Sequence, residues 1–188
     1  ECLTKTETGK IQRLKLKWLV KSEKKKKKNT QSCHSDVRRN LIIYIVNKMN
    51  QFIKQEKVRF QHVDYAGIVF YPRFLEMLNC LVEDWFEEAL DRPFSKMHET
   101  NGIPTVDLKI QFKNAARLGE ILTKKLWVKE LKNSSIICGF QFVNASENTV
   151  LEGEVTLVNV AFNPERNGIK AEPFTEEMKE KIKKYLNS

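Results

Sequence analysis

One segment limits the folds open to this chain more than any other. Residues 73–90 carry apolar side chains at Phe74, Leu75, Leu78, Leu81, Val82, Trp85, Phe86 and Ala89, with two more at Met77 and Leu90. That is the i, i+3, i+4, i+7 spacing of a helix, roughly 25 Å long at about 1.5 Å per residue. Only a narrow polar stripe remains, at Glu76, Asn79, Glu83 and Glu87. A helix apolar over most of its circumference must be wrapped by other structure.

The rest of the chain supplies strands to wrap it. Residues 55–61 alternate, Val58 and Phe60 against Lys57, Arg59 and Gln61, which predicts a strand. Residues 62–72 form a Gly-containing loop, and Pro72 suits the first turn of the helix. Pro93, Gly102 and Pro104 mark a connection. Val106, Leu108, Ile110 and Phe112 then alternate with Asp107, Lys109, Gln111 and Lys113, a half-buried strand. Residues 119–131 and 134–145 follow, joined at Lys132-Asn133, and 149–162 closes the set. A last helix starts after Thr175, with Glu176 and Glu177 in its first turn and Lys183 and Lys184 in its last, both suiting the macrodipole. Direct strand-to-strand connections favour antiparallel pairing. The expected class is α+β: an antiparallel sheet of about five strands curled round one long central helix, the hot-dog architecture. One sheet cannot cover such a helix completely. A second copy joined along an edge strand would, so the pattern predicts a homodimer or homotetramer.

Charge divides the chain in two. The formal balance is +9, which suggests a nucleic-acid or membrane partner. Residues 1–48, however, hold 14 Lys/Arg against 4 Asp/Glu, including the run Lys24 to Lys28, while 49–188 hold 19 against 20. The expectation is a basic, disordered extension over 1–48 and a complete domain over 49–188, with the functional protein starting at or near Met49. A polybasic arm adhering to anionic lipid or RNA is the competing reading of 1–48. The near-neutral domain does not resemble a phosphate-backbone binder, and no apolar run approaches membrane-spanning length. Neither nucleic acid nor membrane is therefore an expected partner. Four cysteines without C-x-x-C spacing and three scattered histidines predict no metal site, no disulfide framework and a cytoplasmic setting.

The chemistry concentrates at Asp64. G-x-S-x-G, H-E-x-x-H, Walker and G-x-G-x-x-G motifs are absent, and nothing calls for a cofactor. Asp64 lies in a short loop just before the long helix, where first-turn N–H groups lack carbonyl partners and can receive an anion. A carboxylate beside such a helix end suits a base or nucleophile in acyl transfer, or it simply caps the helix. Gly67 permits close backbone approach to a ligand. Glu76 and Glu83, on the polar stripe, are alternative carboxylates or solvated helix residues. Phe70, Phe74, Trp85 and Phe86 are candidates to line an acyl pocket, or plain core.

Asp64-Tyr-Ala-Gly-Ile-Val-Phe-Tyr-Pro-Arg-Phe resembles the D-x-A-G-I-V-[FW]-Y-P-x-[YF] signature of the hydroxybenzoyl-CoA thioesterase family, hot-dog acyl-CoA thioesterases. The similarity runs over roughly residues 54–165 and takes in Gly102-Ile-Pro-Thr-Val-Asp-Leu and Phe112-Lys-Asn-Ala-Ala-Arg-Leu-Gly-Glu-Ile-Leu. It implies hydrolysis of an acyl-CoA thioester to free acid and CoA, with Asp64 activating water or attacking the carbonyl. It implies that the backbone N–H of Tyr71, helped by Gly67, takes up the thioester oxygen. It also implies a basic rim for the CoA phosphates at Lys129, Lys132, Asn133 and Ser134, with Arg117 adding a contact. Tyr71 stands where some relatives carry His, which points to the branch acting on aromatic or related acyl groups. His62 stands where relatives often carry an acid, which leaves its role open. A non-catalytic acyl-CoA or acyl-carrier-protein binding module on the same fold is the main alternative. A hot-dog dehydratase would need a His and a distal acid in a motif this chain lacks.

Overall fold

The computed structural model describes residues 50–163 and 168–187. The expectations for residues 1–48 lie outside them. Among the described residues, eight strands and three α-helices follow in order: β1 Phe52–Lys57, α1 Tyr71–Glu88, α2 Phe94–Met97, β2 Asn101–Gly102, β3 Thr105–Phe112, β4 Ile121–Leu131, β5 Ser135–Val143, β6 Thr149–Val158, β7 Val160–Phe162, β8 Ile169–Ala171 and α3 Glu176–Lys183. The main sheet is antiparallel throughout, in the order β1-β4-β5-β6-β3. With α1 packed on its inner face, this is the expected hot-dog arrangement.

The period of each element decides what it buries. On β4, Leu122, Leu126 and Val128 point to the helix; on β5, Ile136, Cys138, Phe140 and Phe142 do so. From α1 they meet Phe74, Met77, Leu78, Leu81, Val82, Trp85 and Phe86, all buried. The Phe74 ring lies 5.9 Å from that of Phe112 and 6.5 Å from that of Phe142, so the start of α1 crosses β3 and β5. At about 1.5–3 kcal/mol per large apolar side chain, this layer dominates the fold's stability.

Three expectations need correction. The first strand runs 52–57, not 55–61, because the chain turns at Arg59 into a 3-10 turn, Phe60–His62, leaving Phe60 exposed and only Val58 buried. The helix is apolar on one face rather than round most of its girth: Leu75 and Cys80 face outward with Glu76, Glu83 and Glu87. The alternating row on β3 exists, but Val106, Leu108 and Phe112 remain exposed on the single chain. The segment 149–162 splits at buried Asn159, whose side chain donates to the carbonyls of Glu172 and Pro173. The small sheet β2-β7-β8 and α2 were not expected. Helix α3 begins where foreseen, with the Thr175 hydroxyl accepting the Met178 N–H; Lys181 and Lys183 occupy its last turn. Among the described residues no helix is long and apolar enough to cross a membrane.

Candidate active site

The loop between the 3-10 turn and α1 is a miniature hairpin. Val63 and Val69 bridge antiparallel. The Asp64 N–H donates to the Ile68 carbonyl at 3.0 Å, and the Gly67 N–H to the Asp64 carbonyl at 3.0 Å. Gly67 has φ +72, a left-handed conformation that side chains disfavour. Asp64 Oδ1 accepts the Ala66 N–H at 2.9 Å, an Asx turn that holds the carboxylate at the tip. No hydrogen bond among the described residues reaches Oδ2.

Asp64 is not the cap of α1. The cap position is Phe70, and no side chain there accepts from the first turn. Phe70 itself is tied down, its N–H donating to the His62 carbonyl at 2.9 Å. In the first turn Pro72 has no N–H, and the Arg73 N–H turns back to the Phe70 carbonyl at 2.8 Å. That leaves the Tyr71 N–H without a carbonyl acceptor among the described residues, one of the orphan donors a helix start presents. The Gly67 N–H donates within the turn, to the Asp64 carbonyl, and its backbone shapes the loop.

The other anticipated residues divide sharply. Arg117 is brought to the loop: it bridges Ile68, and the neighbouring Ala116 carbonyl accepts the Val69 N–H at 2.9 Å. Phe70 is half exposed beside the loop, its ring edge-on to Tyr71 at 5.4 Å. Lys129, Lys132, Asn133 and Ser134 are not brought near Asp64 within one chain. They lie at the far end of β4, about 30 Å along an eleven-residue strand from its Ile121 end. There Lys129 pairs with Glu154, Lys132 lies 3.7 Å from Glu130, and the Asn133 and Ser134 carbonyls accept from Phe174 and Asn159. Glu76 pairs with Arg73 at 2.7 Å, and Glu83 is exposed. Trp85 and Phe86 are fully buried and Phe74 nearly so, which makes them core rather than pocket lining.

Asp64 is exposed, and neither of two sizeable hollows includes the loop. One, of about 570 Å³, is lined by Arg92, Lys96, Asn101, Asn159 and Lys181 among others. The second, of about 440 Å³, is lined by Asn79, Phe94, Pro104 and Val160 among others. Around the loop lies apolar surface instead: Phe60 is 82% exposed, Tyr65 fully so and Leu118 half so. Among the described residues no group of His, Cys, Asp or Glu could hold a metal ion. Cys80 and Cys138 are free, and burial pushes both thiols up.

Sequence reasoning missed Glu56 and Lys124 behind the loop and left the role of His62 open. Lys124, almost wholly buried, contacts Glu56 Oε2 at 2.6 Å and the Met77 carbonyl at 3.2 Å. His62, also buried, lies 4.0 Å from Glu56 Oε1. The available signal was a lysine in the helix-facing row Leu122, Lys124, Leu126 of β4.

Comparison with known proteins agrees with this architecture. A family model described as the thioesterase-like superfamily matches residues 58–182. A 1,4-dihydroxy-2-naphthoyl-CoA hydrolase of Prochlorococcus marinus (strain MIT 9515) is 27% identical over 128 residues, 63% of this chain and 82% of its own. A 1,4-dihydroxy-2-naphthoyl-CoA thioesterase from Synechocystis superposes with a TM-score of 0.63 at 22% identity, over 70% of this chain and 95% of its own. The 4-hydroxybenzoyl-CoA thioesterase of Pseudomonas sp. strain CBS-3 does so at 0.63 and 20%, over 70% and 98%. The fold of the described domain is the one these structures share.

Proposed function

The chain belongs to the thioesterase-like superfamily, and we propose that it hydrolyses an acyl-CoA thioester to the free carboxylic acid and CoA. The observation that carries this reading is the pairing of Asp64 with the start of α1. A carboxylate with one unengaged oxygen sits seven residues before the Tyr71 N–H, which has no carbonyl acceptor among the described residues, on a loop closed by its own hydrogen bonds. The 27%-identical relative is named for hydrolysis of an aromatic acyl-CoA, which favours an enzyme over a binding module.

In this mechanism the thioester oxygen lies against the Tyr71 N–H, which stabilises the charge that develops as the carbonyl carbon becomes tetrahedral. Asp64 either takes the proton of an attacking water or adds to the carbonyl itself. In both routes the carbon–sulfur bond breaks and CoA leaves as a thiolate that is then protonated. In the second, water cleaves the acyl–Asp64 anhydride. Where water opens that anhydride at the Asp64 carboxyl carbon, one turnover in oxygen-18 water places label in the Asp64 side chain, which the general-base route never labels.

A second copy of the chain completes the site. Asp64 is exposed on one chain, and β3 is a free edge among the described residues whose Leu108 and Phe112 face the helix side uncovered. Pairing along that edge would cover the row and enclose the loop. The lysines at 129 and 132 could then rim the CoA site of another copy. The test is release of free thiol from a panel of aromatic and aliphatic acyl-CoAs by the full chain. Turnover of at least one, by an oligomer, supports the reading. Tight acyl-CoA binding without thiol release would mean a binding module instead.

A further inference from the structure

A connected set of buried polar groups lies under the Asp64 loop. On β4, Lys124 fills a helix-facing slot between Leu122 and Leu126, with 3% of it exposed. A buried ammonium must be paired and hydrogen-bonded. Lys124 is held at 2.6 Å by Glu56 and at 3.2 Å by the carbonyl of Met77 on α1. The other oxygen of Glu56 lies 4.0 Å from His62 Nε2, within ion-pair reach, and Gln61 Nε2 is 3.3 Å from the same nitrogen. His62 Nδ1 accepts the Arg59 N–H at 3.1 Å, and the His62 carbonyl accepts the Phe70 N–H at 2.9 Å. The contacts therefore run from α1 to both ends of the loop that carries Asp64 and leads into Tyr71, the 4.0 Å approach of Glu56 to His62 being the longest link.

We infer that His62 is the positioning residue of the Asp64–Tyr71 pair, with Glu56 and Lys124 as its fixed backing; this rests on the hydrolytic role proposed for that pair. At the third position of the 3-10 turn, the ring accepts the N–H of the residue that caps the turn. A Glu or Gln does the same in a capping box. Accepting at Nδ1 places the ring proton of a neutral imidazole on Nε2, the side that faces the Glu56 carboxylate. One hydrogen bond fixes the chain before the loop, at Arg59. The other fixes it after the loop, at Phe70, one residue ahead of the Tyr71 N–H. An ångström of slack between carboxylate and N–H is costly for a reaction that needs both on one carbonyl.

Two substitutions separate positioning from space filling. His62→Phe keeps the bulk and loses the acceptor; His62→Gln keeps an acceptor and loses the ring. The full-length protein would be assayed on its best acyl-CoA, with hydrogen exchange followed over residues 63–71 and melting temperature recorded. We expect His62→Phe to lower kcat about tenfold or more with KM little changed, and to speed exchange within the loop. We expect His62→Gln to restore kcat to within about threefold of the parent despite a lower melting temperature. Equal loss in both variants, in step with melting temperature, would reduce His62 to packing and overturn the inference. So would native kcat in His62→Phe while Asp64→Asn is inactive, which leaves the hydrolytic reading standing. If no acyl-CoA is cleaved by the parent, that reading fails and exchange alone decides: unchanged protection of the loop in His62→Phe overturns the positioning role. Should the Phe variant not fold, His62→Gln decides: retained kcat and protection support the role, and loss of both refutes it.

Discussion

The two edges of the main sheet end in opposite ways. At the β1 edge the helix-facing residues Lys54 and Glu56 are polar, and each finds a partner within the chain: Lys54 with Glu88 and Asp84 of α1, Glu56 with Lys124. Beyond the Phe52 end of β1, the C-terminal segment continues the pairing along β4, the Val128 N–H donating to the Tyr185 carbonyl and the Asn187 N–H to that of Val128. At the β3 edge the corresponding row is Leu108, Ile110 and Phe112, and two of these three remain exposed. Lys54 stands directly opposite Lys124 in the sheet, a like-charge placement tolerated only because each has its own carboxylates. One edge is finished by the chain itself, and the other is left for a second surface. The Asp64 loop connects to both: its base rests on Glu56 and Lys124, and its helix start adjoins Phe112 through Phe74.

The closed edge should break most expensively. Glu56→Ala strands a buried ammonium, and we expect a loss of about 3 kcal/mol in urea unfolding. A loss under about 1 kcal/mol would mean that the pair is not what holds this edge. At the open edge, Phe112→Lys or Leu108→Lys should leave the single chain folded. Either should weaken self-association by about a hundredfold in sedimentation, and thiol release should fall with it. An oligomer unaffected by both changes would place the interface elsewhere. Thr175→Ala removes the cap of α3, which leads into the segment that completes the closed edge; about 1 kcal/mol of stability should go. The smallest effect belongs to Lys54→Met, expected to cost less than about 1 kcal/mol in the same unfolding measurement because the pair is partly solvated. The Glu88 hydrogen bond raises the Lys54 pKa above 10.5 in the folded state. Its contribution is thus present at neutral pH and lost only as pH rises through that folded value. The parent and the Met variant should therefore differ by a constant amount from pH 6 to 9 and converge above about 10.5.

The architecture could be read because its signals are periodic. The helix spacing over 73–90 and the alternation within the later strands survive small shifts in boundary. What the alternation cannot convey is coverage. Leu108 and Phe112 look like half-buried strand residues because they face the inner side, yet both remain exposed on the single chain. The first strand was displaced because Val58 and Phe60 fit a period of two, although a turn set by His62 intervenes. Asp64 is legible as a carboxylate before a helix start, whereas Tyr71 enters only through the family resemblance. That the Gly67 N–H is consumed within the turn depends on a hydrogen bond that no spacing reveals. The Glu56–Lys124 pair was written into the pattern, as charges in helix-facing slots, but two residues 68 positions apart are matched only by the register of β1 against β4.

The most direct test lies in the side chain of Asp64. In the full-length protein, Asp64→Asn should cut thiol release from the best acyl-CoA by about 10²–10⁴-fold, while binding of that acyl-CoA and the melting temperature stay near the parent's. Turnover equal to the parent's in a folded Asp64→Asn protein would contradict the assignment of this carboxylate to the chemistry.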